Sequence, residues 1–176
     1  MHRRDLLRFL GSTALLPFVP RSADRAFAFG QAVHRASAAT ALEYLTPAEA
    51  ELVTTIADLI LPRTETPGAS DVGVTPFIDH LLAHWYKPED SGAFRAGLAA
   101  IDQKAGGRFT ALDAARQATL LASLDQVKGD RGSAEAEFGR LKSLVIYGYF
   151  TSELVVKTVT KDPIIPGKFE GCVPAR

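Results

Sequence analysis

Two Thr-Pro pairs, Thr46-Pro47 and Thr75-Pro76, do most to restrict what this chain can become. In each pair the threonine can cap a helix, and the proline takes a first-turn position where its missing N–H costs nothing. Behind the first pair, Glu49 completes a capping box. Leu52, Val53, Ile56, Leu59 and Ile60 then recur at helical spacing until Pro62 stops the run. Behind the second pair, Phe77, Ile78, Leu81, Leu82 and Trp85 form an apolar face that ends at Lys87-Pro88. The same period continues downstream. A third helix is expected over about 91–104, with Phe94, Leu98 and Ile101 inward and Gly106-Gly107 as its stop. A fourth begins at Thr110, with Asp113 in its first turn, and carries Leu112, Leu120, Leu121, Leu124 and Val127. A fifth is capped by Ser133 and runs through Phe138, Leu141, Leu144 and Val145. Gly148 interrupts it, and the β-branched Val155, Val156 and Val159 weaken its end. No run alternates with period two for long enough to make a strand. The expected fold class is all-α, a single domain of about five helices over residues 46–160.

Both ends of the chain differ from this grammar. The first 28 residues place Arg3 and Arg4 before an apolar segment from Leu6 to Pro20, then Ala26-Phe27-Ala28. That order of basic, apolar and small-residue regions is that of an export signal, and the paired arginines look like the twin-arginine type. Cleavage after Ala28 would leave 15 Lys and Arg against 18 Asp and Glu, a formal charge of −3. A mildly acidic exported domain suits a protein or small-molecule partner and argues against nucleic acid. Residues 29–45 are alanine-rich with weak periodicity and read as a spacer. Residues 161–176 hold three prolines, two glycines, Ile164, Ile165, Phe169 and the single cysteine, Cys172. No helix fits such a tail. An odd cysteine in an oxidising compartment points either to an intermolecular disulfide or to a free thiol.

Catalytic machinery is hard to find. His80 and His84 stand four apart on an expected helix, so both rings could face one metal. Asp79 is adjacent but directed off that face, and no third ligand lies nearby in sequence, so no metal site is assigned. The rival reading keeps the pair as the centre of an independent small metal protein or enzyme. No CxxCH attaches a c-type haem, one cysteine cannot hold an iron–sulfur cluster, and neither GxGxxG after a strand nor GxSxG occurs. Tyr147, Tyr149 and Phe150 form the most aromatic stretch, which reads as an amphipathic interface. The irregular loop over 61–74, with its Pro67-Gly68 turn, is either a surface connector or a binding segment. A helical chain of this kind reads as a partner of something larger, not as a catalyst on its own.

Four stretches carry a resemblance: RRDLLRFLG at the start, LTPAEAELVTTIADLILPRTETPGASDVGV, YGYFTSE, and PGKFEGC near the end. Together they resemble the gluconate 2-dehydrogenase subunit 3 family, the small subunit of membrane-associated flavin-dependent sugar dehydrogenases. The second and fourth stretches are the most specific.

The resemblance implies an accessory subunit without cofactor or catalytic residues of its own. Its expected partners are a large FAD-containing dehydrogenase of the glucose–methanol–choline type and a multihaem cytochrome c that carries the electrons onward. It also implies an escort role. The flavoprotein, folded and loaded with FAD, would leave on this chain's twin-arginine peptide through the twin-arginine machinery, reach the periplasm, and associate with the membrane through the complex. On that reading the tail docks on the flavoprotein. Ile164, Ile165, Pro166, Gly167 and Phe169 supply the contacts, and the prolines hold the segment extended. Cys172 is then a candidate for an intersubunit disulfide, and Pro67, Gly68, Tyr147, Tyr149 and Phe150 for a second contact.

Overall fold

The computed structural model describes residues 23–38 and 41–161. All regular structure among them is helical, with no strand. In chain order the elements are α1 (Ala23–Ser37), α2 (Pro47–Ile60), a 3₁₀ turn (Ser70–Val72), α3 (Val74–His84) and α4 (Pro88–Lys104). A second 3₁₀ turn (Phe109–Ala111), α5 (Ala114–Gln126), α6 (Ala134–Thr151), a short α7 (Glu153–Val155) and a π-helical turn (Val156–Thr160) follow. The expected all-α class and the five expected helices are present, as α2 to α6.

The capping chemistry explains where most of them begin. Thr46 accepts from the Glu49 N–H while the Glu49 carboxylate accepts from the Thr46 N–H, so the capping box closes. Ser133 caps α6 through the Ala136 N–H, and Asp113 caps α5 through the Arg116 N–H. Three starts differ from expectation. α5 begins at Ala114 with Asp113 as its cap, not at Thr110, because Phe109–Ala111 form a separate 3₁₀ turn. Pro88 begins α4 instead of merely ending α3, because Lys87 is extended and Pro88 then occupies the first turn. At α3 the cap is Gly73 in the left-handed region (φ 70°). Thr75 is the second residue of the helix, within its first turn, and its hydroxyl meets that of Thr54 on α2 at 2.7 Å.

Helix α1 lies where the sequence shows only weak periodicity. It covers residues 29–37 of the expected spacer and spans the expected cleavage position after Ala28. Its buried positions are Ala26, Gly30, Val33 and Ser37. They have helical spacing, but three of the four are small or polar, so the apolar period is faint. α1 packs on α3 and α6. There Phe29 meets Trp85 edge to face at 4.7 Å, and the Tyr147 hydroxyl donates to the Ala26 carbonyl.

The core lies around α6, which touches α1 to α5. Phe77, Ile78, Leu81 and Leu82 from α3, Phe94, Leu98 and Ile101 from α4, and Leu141 and Val145 from α6 are essentially inaccessible. Gly148 does not end α6; it lets α3 come close. A Cβ there would stand 2.8 Å from the Phe77 ring. Gly97 does the same on the α4–α6 seam, where a Cβ would fall 2.3 Å from the Glu137 Cβ. Glu137 is itself buried at 1% exposure, ion-paired with Arg140 at 3.2 Å and accepting from the Gly132 N–H at 3.0 Å. No helix among the described residues is long and apolar enough to cross a membrane.

Candidate functional site

Two places bring together side chains that the sequence singled out. The first lies where the 61–73 loop meets the end of α6. Asp71 shapes the loop: its carboxylate accepts from the Gly68 N–H at 2.8 Å and pairs with Arg63. Ser70 N–H donates to Asp58 on α2 at 2.9 Å, which ties the loop to the helix before it. The Tyr149 hydroxyl donates to the Pro67 carbonyl at 2.8 Å, and the Tyr149 ring meets Phe150 edge to face at 5.3 Å. Pro67, Gly68, Tyr149 and Phe150 therefore form one neighbourhood.

Tyr147 and Tyr149 are nevertheless buried, at 9% and 4% exposure, and both hydroxyls are used within the chain. Their amphipathic character serves the packing of α1 and the loop on α6. Burial raises the Tyr147 pKa well above the usual phenol range, so its hydroxyl stays a donor. The outward apolar groups here are Phe150, 45% exposed, and Leu154, 43% exposed. Leu154 was not singled out in the sequence; it lies in the β-branched run after α6 where periodicity is lost.

Beside them a cleft of about 590 Å³ is lined by His34 and Arg35 of α1, Asp71 and Val72 of the loop, Leu154 and Val156. Its floor is rigid. His34 Nε2–H donates to the Gly148 carbonyl at 2.6 Å, and its ring stacks on Phe77 at 4.5 Å. Burial holds the His34 pKa below its ordinary 6.5, the Gly148 bond opposing only in part. At Lys161, whose N–H donates to the Val156 carbonyl at 3.0 Å, the backbone turns left-handed (φ 52°) and the described chain ends. The tail residues Ile164, Ile165, Pro166, Gly167, Phe169 and Cys172, and the signal residues Arg3 and Arg4, lie outside the described residues.

The second place is the C-terminal end of α3. His80 and His84 are one turn apart, with ring centroids separated by 4.4 Å. Glu43, from the segment before α2, reaches both. Its Oε2 lies 2.7 Å from His84 Nε2, and its Oε1 lies 3.6 Å from His80 Nδ1. Asp79 explains why Glu43 is there. Its buried carboxylate accepts from three successive backbone N–H groups, those of Glu43 (2.7 Å), Tyr44 (3.0 Å) and Leu45 (2.7 Å). Arg95 clamps the same segment from the other side. It donates to the Tyr44 carbonyl, stacks over the Tyr44 ring at 4.3 Å and pairs with Glu49 at 2.8 Å. Asp79 thus holds the backbone segment that brings the Glu43 carboxylate to the two histidines. No spacing rule links position 43 to position 80, so this third group was not visible in the sequence.

The family model for gluconate 2-dehydrogenase subunit 3 matches residues 47–167, from the start of α2 into the C-terminal tail. No match was found among curated proteins or among solved structures. The matched span contains the 61–73 loop, the Tyr149–Phe150 end of α6 and the start of the tail, and with it the chain belongs to the gluconate 2-dehydrogenase subunit 3 family.

Proposed function

We propose that this chain is the non-catalytic small subunit of a periplasmic FAD-dependent sugar or polyol dehydrogenase complex. It binds and stabilises the large flavoprotein and escorts it through twin-arginine export. FAD belongs to that flavoprotein, of the glucose–methanol–choline type, and haem c to a multihaem cytochrome that completes the complex. The family membership supports the class of partner. One structural observation supports the mode. The Tyr149–Pro67 hydrogen bond joins the loop to the end of α6 beside the exposed Phe150, and the exposed Leu154 that follows also lines the cleft.

The physical logic runs from that neighbourhood. Irregular segments held on a rigid helical scaffold are suited to binding. Phe150 and Leu154 offer apolar area that water disfavours. A proline-rich tail would lose little entropy on docking, with Ile164, Ile165 and Phe169 as anchors and Cys172 as a candidate for a covalent tie after export. Arg3 and Arg4 supply the address that the large subunit borrows.

The test is affinity isolation of the full chain from periplasmic and membrane fractions, with visible spectra of the eluate. The expected result is a stoichiometric large polypeptide carrying flavin absorption, lost when Phe150→Glu and Leu154→Glu are combined. An eluate without flavin, or unchanged flavin recovery in the double variant, contradicts the proposal.

A further inference from the structure

We propose that Glu43, His80 and His84 form a binding site for a zinc-class divalent cation at the C-terminal end of α3. This proposal does not rest on the accessory-subunit reading.

The donor set is two imidazoles and one carboxylate, which is the chemistry of three-ligand zinc sites that keep a fourth position for water. The geometry suits it. All three ligand atoms lie within 4.8 Å of one another. Tetrahedral zinc with bonds of about 2.0–2.1 Å separates its ligands by roughly 3.3 Å. The two carboxylate–imidazole separations, 2.7 Å from Oε2 to His84 Nε2 and 3.6 Å from Oε1 to His80 Nδ1, bracket that value, so rotation of the Glu43 carboxylate would bring one oxygen to an ion shared with both rings.

His80 Nδ1 adds an independent observation. It is buried and has no hydrogen-bond partner, and the nearest carboxylate oxygen stands 3.6 Å away. A buried imidazole nitrogen left unpaired is unfavourable, whereas a cation between it and Glu43 would satisfy it.

The support behind the ligands is already built. Metal sites depend on the groups that fix their ligands. Here the three N–H bonds to Asp79 hold the Glu43 backbone against the helix that carries both histidines. The helix fixes His80 and His84 one turn apart. Entry is open as well, since the His84 and Glu43 side chains are 48% and 34% exposed. What the cation must displace is weak, because a solvent-exposed His–Glu pair contributes little to stability. A bound ion would join the 41–46 segment to α3 and so staple the start of the domain to its core.

The experiment uses the full chain, with its partner if the two co-purify, and zinc chloride as the only probe. Wild type, His84→Asn and Glu43→Gln are loaded, desalted, assayed for zinc and titrated calorimetrically. Differences between variants cancel any zinc held elsewhere. Helical circular dichroism confirms that these partly exposed substitutions leave the fold intact. The expected result is one zinc per wild-type chain, a thermal midpoint raised by zinc in wild type alone, and affinity lowered at least tenfold in each variant. Sub-stoichiometric zinc in wild type, or variants within tenfold of it, overturns the site. Neither outcome depends on whether a flavoprotein is bound, so failure here is separable from failure of the proposed function.

Discussion

Removing the Asp79 carboxylate should be among the most damaging single changes to this fold. The Asp79→Ala variant deletes three charge-assisted bonds, to the N–H groups of Glu43, Tyr44 and Leu45. Hydrogen bonds to charged groups contribute about 1.5–3 kcal/mol each, but water can replace some of them. Glu43 is exposed and Tyr44 half-buried, so their N–H groups can turn to solvent; Leu45 is buried at 4% exposure and its N–H cannot. One full bond and two partial ones give a loss of about 3–5 kcal/mol. The Arg95 clamp on Tyr44 remains and keeps the figure from rising further. For a urea slope near 2 kcal/mol/M, the unfolding midpoint falls by about 1.5–2.5 M with the slope unchanged. Asp79→Asn keeps the shape and one good acceptor but turns an amide NH₂ toward an N–H, so roughly half the loss is expected. The assay is urea denaturation of wild type and both variants, followed by far-ultraviolet circular dichroism. A loss below about 1 kcal/mol for Asp79→Ala would refute the claim that this carboxylate holds the 43–45 segment.

Other outcomes follow from the same packing. Gly97→Ala should destabilise by about 1–3 kcal/mol, because the clash with Glu137 Cβ outweighs the roughly 1 kcal/mol gained in helix propensity; thermal unfolding checks it. Glu137→Ala strands Arg140 in a buried setting and should cost about 3–5 kcal/mol, with much of it recovered when Arg140→Met is added; a double-mutant cycle reads this. His34 gives a pH effect. Its folded-state pKa is lowered by burial, so the unfolded chain takes up a proton first. Its contribution is therefore complete above pH 6.5 and is lost as the pH falls through that value toward the folded pKa. The wild-type thermal midpoint should drop more steeply than that of His34→Gln between about pH 6.5 and 5; parallel curves would contradict it.

The sequence showed the helical body well because its signals are local. A capping box, Thr-Pro pairs and runs of large apolar residues at helical spacing each act within a few residues. Where the signal was small or distant, it was missed. α1 buries Ala26, Gly30 and Ser37, and residues that small leave hardly any period to read. Gly148 looked like an interruption because its function, admitting Phe77, exists only once α3 and α6 are packed. The aromatic run behaved similarly. Tyr147 and Tyr149 have interface chemistry, and the partners they met were α1 and the Pro67 turn. The Glu43–His80–His84 cluster was half legible, since the histidine pair is a helical spacing while Glu43 arrives through a tertiary clasp made by Asp79.

The central claim, that these helices grip and deliver a flavoprotein, is tested most directly in cells lacking this chain. Fractionation followed by flavin-dependent dehydrogenase activity in each compartment gives the answer. The account predicts that periplasmic and membrane activity disappears, returns with the wild-type chain, and does not return when Arg3 and Arg4 are both replaced by lysine. Normal activity and location of the flavoprotein without this chain would contradict it.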